Sequence, residues 1–106
     1  KDTSFPRLAK YVLDFGARYG ERSKVHIYLV NKALSDNKQL CELFREKYRS
    51  WREIIKKTIE ERIDEKEKAE GYADLLLILI DGLIVQDLVG IENIDTKQIV
   101  SLIIDK

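Results

Sequence analysis

The residues able to do chemistry in this chain are few. There is a single histidine, His26, and a single cysteine, Cys41. Nucleophilic catalysis needs a nucleophile within reach of a base that is itself held in place. No recognisable motif surrounds either residue, and although spacing leaves a Cys41–His26 pair formally open, packing or surface roles account for both. One cysteine also rules out an intrachain disulfide and zinc sites built on cysteine pairs. A di-iron carboxylate bundle would need two Glu-x-x-His repeats, which one histidine cannot supply. The five glycines are too scattered for a phosphate-binding loop. Carboxylates crowd in Glu60-Glu61 and Asp64-Glu65-Lys66-Glu67, the pattern of a solvated, salt-bridged surface. An all-α enzyme is thus the reading with least support, and no cofactor or metal is called for.

The most informative constellation is aromatic. Phe44, Tyr48 and Trp51 follow one another at steps of four and three, which places them on one face of a helix. That face meets whatever Tyr11, Phe15 and Tyr28 present from earlier helices, with Leu77 contributed by a later apolar one. Plain core packing would explain any single member. Together they suggest a pocket between helices, whose aromatic walls bury a small hydrophobic or cationic ligand while the hydroxyls and the indole N–H orient it.

The elements that must position these side chains are helices. One proline, Pro6, and glycines that fall mostly at element ends favour long helices over strands. The first helix starts at Pro6 behind Thr3 or Ser4, carries Phe5, Leu8, Val12, Phe15 and Tyr19, and stops at Gly20. Ser23 caps a second, to about Leu34. Its segment Val25-His26-Ile27-Tyr28-Leu29-Val30 is rich in strand formers, but no partner strand exists in the sequence, and a lone strand would leave its backbone groups unpaired. From the cap cluster Ser35-Asp36-Asn37 a third helix runs to about Arg62, roughly 40 Å long, with Leu40, Phe44, Tyr48, Trp51, Ile55 and Ile59 on one stripe. Its other faces pair charges such as Glu42 with Arg45, Glu53 with Lys57, and Lys56 with Glu60. After a charged linker over residues 62–70, a fourth helix begins at Lys66 or Ala69 and runs to Val89, with Gly90 as its stop. Asp95 and Gln98 form a capping box for a fifth.

The fourth helix is apolar on all sides, and the fifth on more than one. One face of each packs on its own domain, so another must be covered by something else. Two such helices at the chain end predict an isologous interface in which both meet their symmetry mates in a four-helix bundle. Ile80, Leu83, Ile84, Asp87, Leu88, Ile99, Leu102 and Ile103 are the expected interface positions. Gly82 in mid-helix costs about 1 kcal/mol against alanine, and close helix approach is the usual reason to accept it.

Charge sets the remaining limits. Nineteen basic and 19 acidic side chains cancel over 106 residues, and 44% of the chain is hydrophobic. This suits one folded domain, residues 1–106, and argues against a domain that grips nucleic acid by itself, which needs concentrated basic excess. Asp74, Asp81, Gln86 and Asp87 interrupt the apolar stretch from Ala73 to Ile91, so a membrane span is not expected. The lone cysteine fits a reducing, cytoplasmic setting.

Two moderate helices, then Asp36-Asn37-Lys38-Gln39-Leu40 opening a long helix with an aromatic stripe, then Ala73-Asp74-Leu75-Leu76-Leu77-Ile78-Leu79-Ile80-Asp81-Gly82-Leu83, then a short apolar helix: this order resembles the C-terminal domain of TetR-family transcriptional regulators. The likeness covers nearly the whole chain. It implies an all-α, five-helix domain that senses a ligand in a pocket among the first, third and fourth helices and forms a homodimer through the last two. It also implies a helix-turn-helix head, N-terminal to Lys1, as the part that binds operator DNA, with effector binding coupled to DNA release. The competing expectation is a helical dimerisation or protein-interaction module without a small-molecule site.

Overall fold

Asn37 shows how local chemistry starts a helix here: its side-chain oxygen accepts the backbone N–H of Leu40 at 3.0 Å and its backbone is extended. The computed structural model describes residues 4–17 and 21–104, with the side chains of Ser4 and of residues 15–17 left out. Among the described residues there are five α-helices and no strand: α1 (Ser4–Ala17), α2 (Glu21–Ser35), α3 (Lys38–Glu60), α4 (Ala69–Leu88) and α5 (Thr96–Ile104). The expected Gly20 stop lies outside the described residues.

Helix ends follow the chemistry of their caps. Gly90 sits at φ +97°, its N–H reaches the Asp87 carbonyl at 3.1 Å, and the Ile91 N–H reaches that of Gln86 at 2.9 Å. That is the paired-bond termination of a helix by a left-handed glycine. The Asp95 carboxylate accepts the Gln98 N–H at 3.1 Å and opens α5. The charged linker holds a single 3₁₀ turn, Lys66–Lys68, that leads into α4, and Lys66 Nζ donates to the carbonyls of Glu60 and Ile63, closing the end of α3. Lys56 reaches Glu70 at 3.7 Å rather than the expected Glu60. Ser23 is not a cap: α2 begins two residues earlier, and Ser23 is buried within it.

α4 is the central helix, packed against α1 on one side and α3 with α2 on the other, while α5 lies against α1. Phe5, Ala9 and Leu13 of α1 meet Ala69, Ala73 and Leu76 of α4, joined by Ile59, Leu83, Ile84 and Val100 in one cluster. The alanines at the crossing bring the helices close, and each of these three is fully buried. Thr96, buried at the start of α5, donates to Asp14 Oδ1 at 2.7 Å, while Lys10 holds Oδ2 at the same distance. This ties α5 to α1.

The body measures 44 × 30 × 17 Å, a slab two helix layers thick. A two-layer slab cannot cover every side of an all-apolar helix. Uncovered without a polar side chain past the first turn of α4 are Ile78, Gly82 and Val85, with Val89 at its C-cap, spaced four, three and four residues apart on one stripe, and Leu102 on α5 is also open. Leu83 and Ile84, expected at a partner interface, are 7% and 5% exposed and belong to the protomer's own core. The 100° step of the helix turns them away from that stripe. Of the other expected interface positions, Asp87 is exposed, and Ile80, Leu88, Ile99 and Ile103 are half-buried.

Candidate functional site

Between α2, α3 and α4 lies a cavity of about 590 Å³, within the range of small-molecule pockets, roughly 300–1,000 Å³. α3 supplies Tyr48, Trp51, Ile54 and Ile55; α4 supplies Leu77, Ile80, Asp81 and Ile84; α2 supplies Arg22, Ser23 and His26. The wall is mainly aliphatic and aromatic. Trp51 and Ile54 are exposed along its edge.

The polar groups converge on one hydroxyl. Tyr48 donates to Asp81 Oδ2 at 2.8 Å, and His26 Nε2 lies 3.1 Å from the same hydroxyl. With its proton committed to Asp81, the tyrosine oxygen accepts from His26, which assigns the Nε2–H tautomer from the network. One side chain of α3 thereby ties α2 to α4. Partial burial, then the hydrogen bond to Asp81 and the charge of Asp81, push the Tyr48 hydroxyl well above its ordinary pKa of 10.0, so it remains a donor throughout the physiological range.

The His26 ring rests among aromatics, with centroids 5.6 Å from Phe44, 6.2 Å from Tyr48 and 6.2 Å from Trp51. Tyr48 and Trp51 cross edge to face at 78°. Edge-on rings fill volume without closing over the space between α2 and α4, and they hold the cavity wall in shape.

Of the residues the sequence suggested for a pocket, Tyr48, Trp51 and Leu77 come together on the wall. Phe44 stands one turn behind, supporting His26. Tyr11 and Tyr28 are each 60% exposed and do not line the cavity, and Tyr28 instead carries the Lys32 ammonium 5.7 Å above its ring. The side chain of Phe15 lies outside the described residues. The cavity is therefore walled by α2 where α1 was expected, because α1 turns Phe5, Ala9 and Leu13 into the packed core. His26, Asp81, Arg22, Ser23, Ile54 and Ile55 were not anticipated as lining, and Ile80 and Ile84 were expected on a dimer face. Asp81 carried the signal that could have found the site, a lone carboxylate within an apolar run.

On the other side of Tyr48, Leu77 and Asp81 lies a smaller groove of about 330 Å³, bordered by Arg45, Arg49 and Arg52. Each arginine already has a carboxylate: Glu42 at 3.2 Å, Glu46 at 2.9 Å, and for Arg52 both oxygens of Asp74 at 2.7 and 2.9 Å. The groove is electrically compensated. Among the described residues no group of three or more His, Cys, Asp or Glu side chains is placed to hold a metal ion, and no helix is long and apolar enough to cross a membrane.

No curated protein and no solved structure matches the chain. A family model described as "BetI-type transcriptional repressor, C-terminal" matches residues 7–105. The extent of that match, together with five helices in the order that suggested a TetR-type domain, shows that the chain belongs to the family of BetI-type transcriptional repressor C-terminal domains.

Proposed function

We propose that this domain senses a small effector in the cavity between α2, α3 and α4 and holds two protomers of a transcriptional regulator together. The observation that carries the sensing half is the cavity itself: about 590 Å³, walled by apolar and aromatic side chains, with a few polar groups gathered at Tyr48. Such a combination binds an apolar molecule by burial and selects it by a small number of hydrogen bonds. The effector expected is small and hydrophobic or cationic.

The pairing half rests on the open stripe of Ile78, Val85 and Val89 with Leu102, a face that water covers at a cost in any monomer. A second copy of the chain is its proposed occupant. DNA contact is assigned to a helix-turn-helix domain elsewhere in the same cytoplasmic regulator, since this domain has no net charge with which to attract phosphates. Effector and operator then favour different separations of two DNA-reading heads, a coupling of about 1–3 kcal/mol in typical systems, and effector binding releases DNA.

Thermal denaturation in the presence of a panel of hydrophobic and cationic compounds tests the sensing half. At least one compound class should raise the melting temperature in proportion to the logarithm of its concentration. A panel in which nothing shifts would leave a helical interaction module without a ligand. Sedimentation of the same protein should show a dimer, and a well-behaved monomer at high concentration would overturn the pairing half.

A further inference from the structure

Asp81 is the one carboxylate among the described residues lining the cavity, and only one of its two oxygens is hydrogen-bonded. Oδ2 takes the Tyr48 hydroxyl at 2.8 Å, while Oδ1 has the His26 ring only at 3.7 Å, beyond hydrogen-bond distance. The side chain retains 45% of its exposure although Leu77, Ile80 and Ile84 surround it on α4. An anionic acceptor left open on an apolar wall favours a ligand that brings a donor and a positive charge together. Resting on the effector cavity described above, we propose that the ligand carries a protonated, N–H-bearing nitrogen on an apolar body, with Asp81 as the specificity-determining carboxylate and Tyr48 as its competitor within the protein.

The alternatives fit less well. An anionic head would face Asp81 on this wall, where the lining arginine, Arg22, already has a partner of its own, and in the adjoining groove would meet arginines already paired with carboxylates. A fully alkylated ammonium would want aromatic faces turned toward it, but Tyr48 and Trp51 cross at 78° and spend their faces and edges on each other and on His26. A primary or secondary amine needs only the open lone pairs of Oδ1. As it binds, it draws charge from the carboxylate that Tyr48 also uses, loosening the one hydroxyl that links α2, α3 and α4. Ligand identity and helix packing are thereby coupled through a single oxygen pair.

Trp51 is the sole tryptophan and stands on the cavity wall, so its fluorescence reports occupancy directly. The test is a titration at neutral pH with four probes of one shape: phenylbutylamine, its trimethylammonium counterpart, phenylbutanol and phenylbutyrate. The amine should bind at least about ten-fold more tightly than the alcohol, with the trimethylammonium probe between them and the carboxylate weakest. Asp81→Asn should bring the amine down to the level of the alcohol. Tyr48→Phe, by freeing Oδ2, should raise the ratio of amine to alcohol affinity about three-fold. Equal binding of amine and alcohol, or a trimethylammonium probe that equals the amine, would overturn the assignment of ligand class while leaving the effector cavity intact. No response of Trp51 to any of the four would sink the cavity reading as well. The comparison among probes on the unmutated protein decides the matter even if a variant folds poorly.

Discussion

The two sides of α4 are built on opposite principles. Toward α1, Ala69, Ala73 and Leu76 meet Ala9 and Leu13 with 1% exposure or less, a seam of small and medium side chains closed to water. Toward α2 and α3, the same helix presents Leu77, Ile80, Asp81 and Ile84 to a cavity edged by a histidine, a tyrosine and a tryptophan. Small residues let helices approach; ring systems standing edge-on hold them apart. One helix can therefore act as a structural spine and as a wall of a binding site because successive residues 100° apart address different neighbours.

If that contrast is right, truncations should be costly on one side and mild on the other. Leu76→Ala, on the closed seam, should destabilise the fold by about 2–5 kcal/mol in urea denaturation, because the void it leaves cannot collapse against neighbouring alanines. Leu77→Ala, one residue on, removes a side chain that already borders open space and should cost clearly less. Equal losses would mean that the cavity wall is as tightly packed as the seam. Enlargement reverses the roles. Leu13→Phe should cost about 1–3 kcal/mol by overpacking, whereas Leu77→Phe has the cavity to grow into, should cost less, and should abolish binding of any ligand that quenches Trp51.

Much of this arrangement was legible in the sequence, for reasons that explain what was not. α3 could be read because its apolar stripe is clean, and spacing alone puts Tyr48 and Trp51 on one face of it. Gly90 and Asp95 marked their helix ends because capping is local chemistry. α2 was harder: Val25, Tyr28, Leu29 and Val30 crowd around the helix, and the side that turns inward mixes Ser23, His26 and Ala33 with Ile27, so hydrophobicity alone could not select it. The link between His26, Tyr48 and Asp81 joins three helices far apart in the chain, and no periodicity encodes a meeting of polar groups. Leu83 and Ile84 were assigned outward because an all-apolar helix offers no contrast from which to tell its inner face from its outer one.

Tyr48 offers a subtler probe of the open side. Replacing it with phenylalanine removes a hydroxyl that serves both His26 and Asp81, and should cost about 0.5–1.5 kcal/mol near neutral pH. The pH dependence carries the diagnostic sign. In the unfolded chain the phenol ionises near its ordinary 10.0, while in the fold it is held protonated to higher pH, first by burial and then by Asp81. Its contribution is therefore fully present below about pH 10 and is lost as pH rises beyond, because the unfolded chain releases a proton that the folded one retains. The unmutated protein should lose stability above pH 10 more steeply than Tyr48→Phe. Parallel profiles would mean that the hydroxyl is neither buried nor held by Asp81 in solution.

The smallest expected effect lies on the third side of α4, which neither packs on α1 nor faces the cavity. Gly82 is exposed there, and a methyl group added to it would meet nothing within 4 Å in the protomer. Within one chain, Gly82→Ala should therefore be neutral or stabilising by up to about 1 kcal/mol, the ordinary helix preference for alanine. A glycine with no reason inside its own fold acquires one if a second α4 crosses at that point, between Ile78 and Val85. Two measurements separate these cases. If copies pair through this stripe, Gly82→Ala should shift sedimentation toward monomer while leaving the helical content of the protomer intact. If the variant remains fully dimeric, the two chains meet elsewhere, around Leu102 or not through α4 at all, and the open stripe belongs to a different partner.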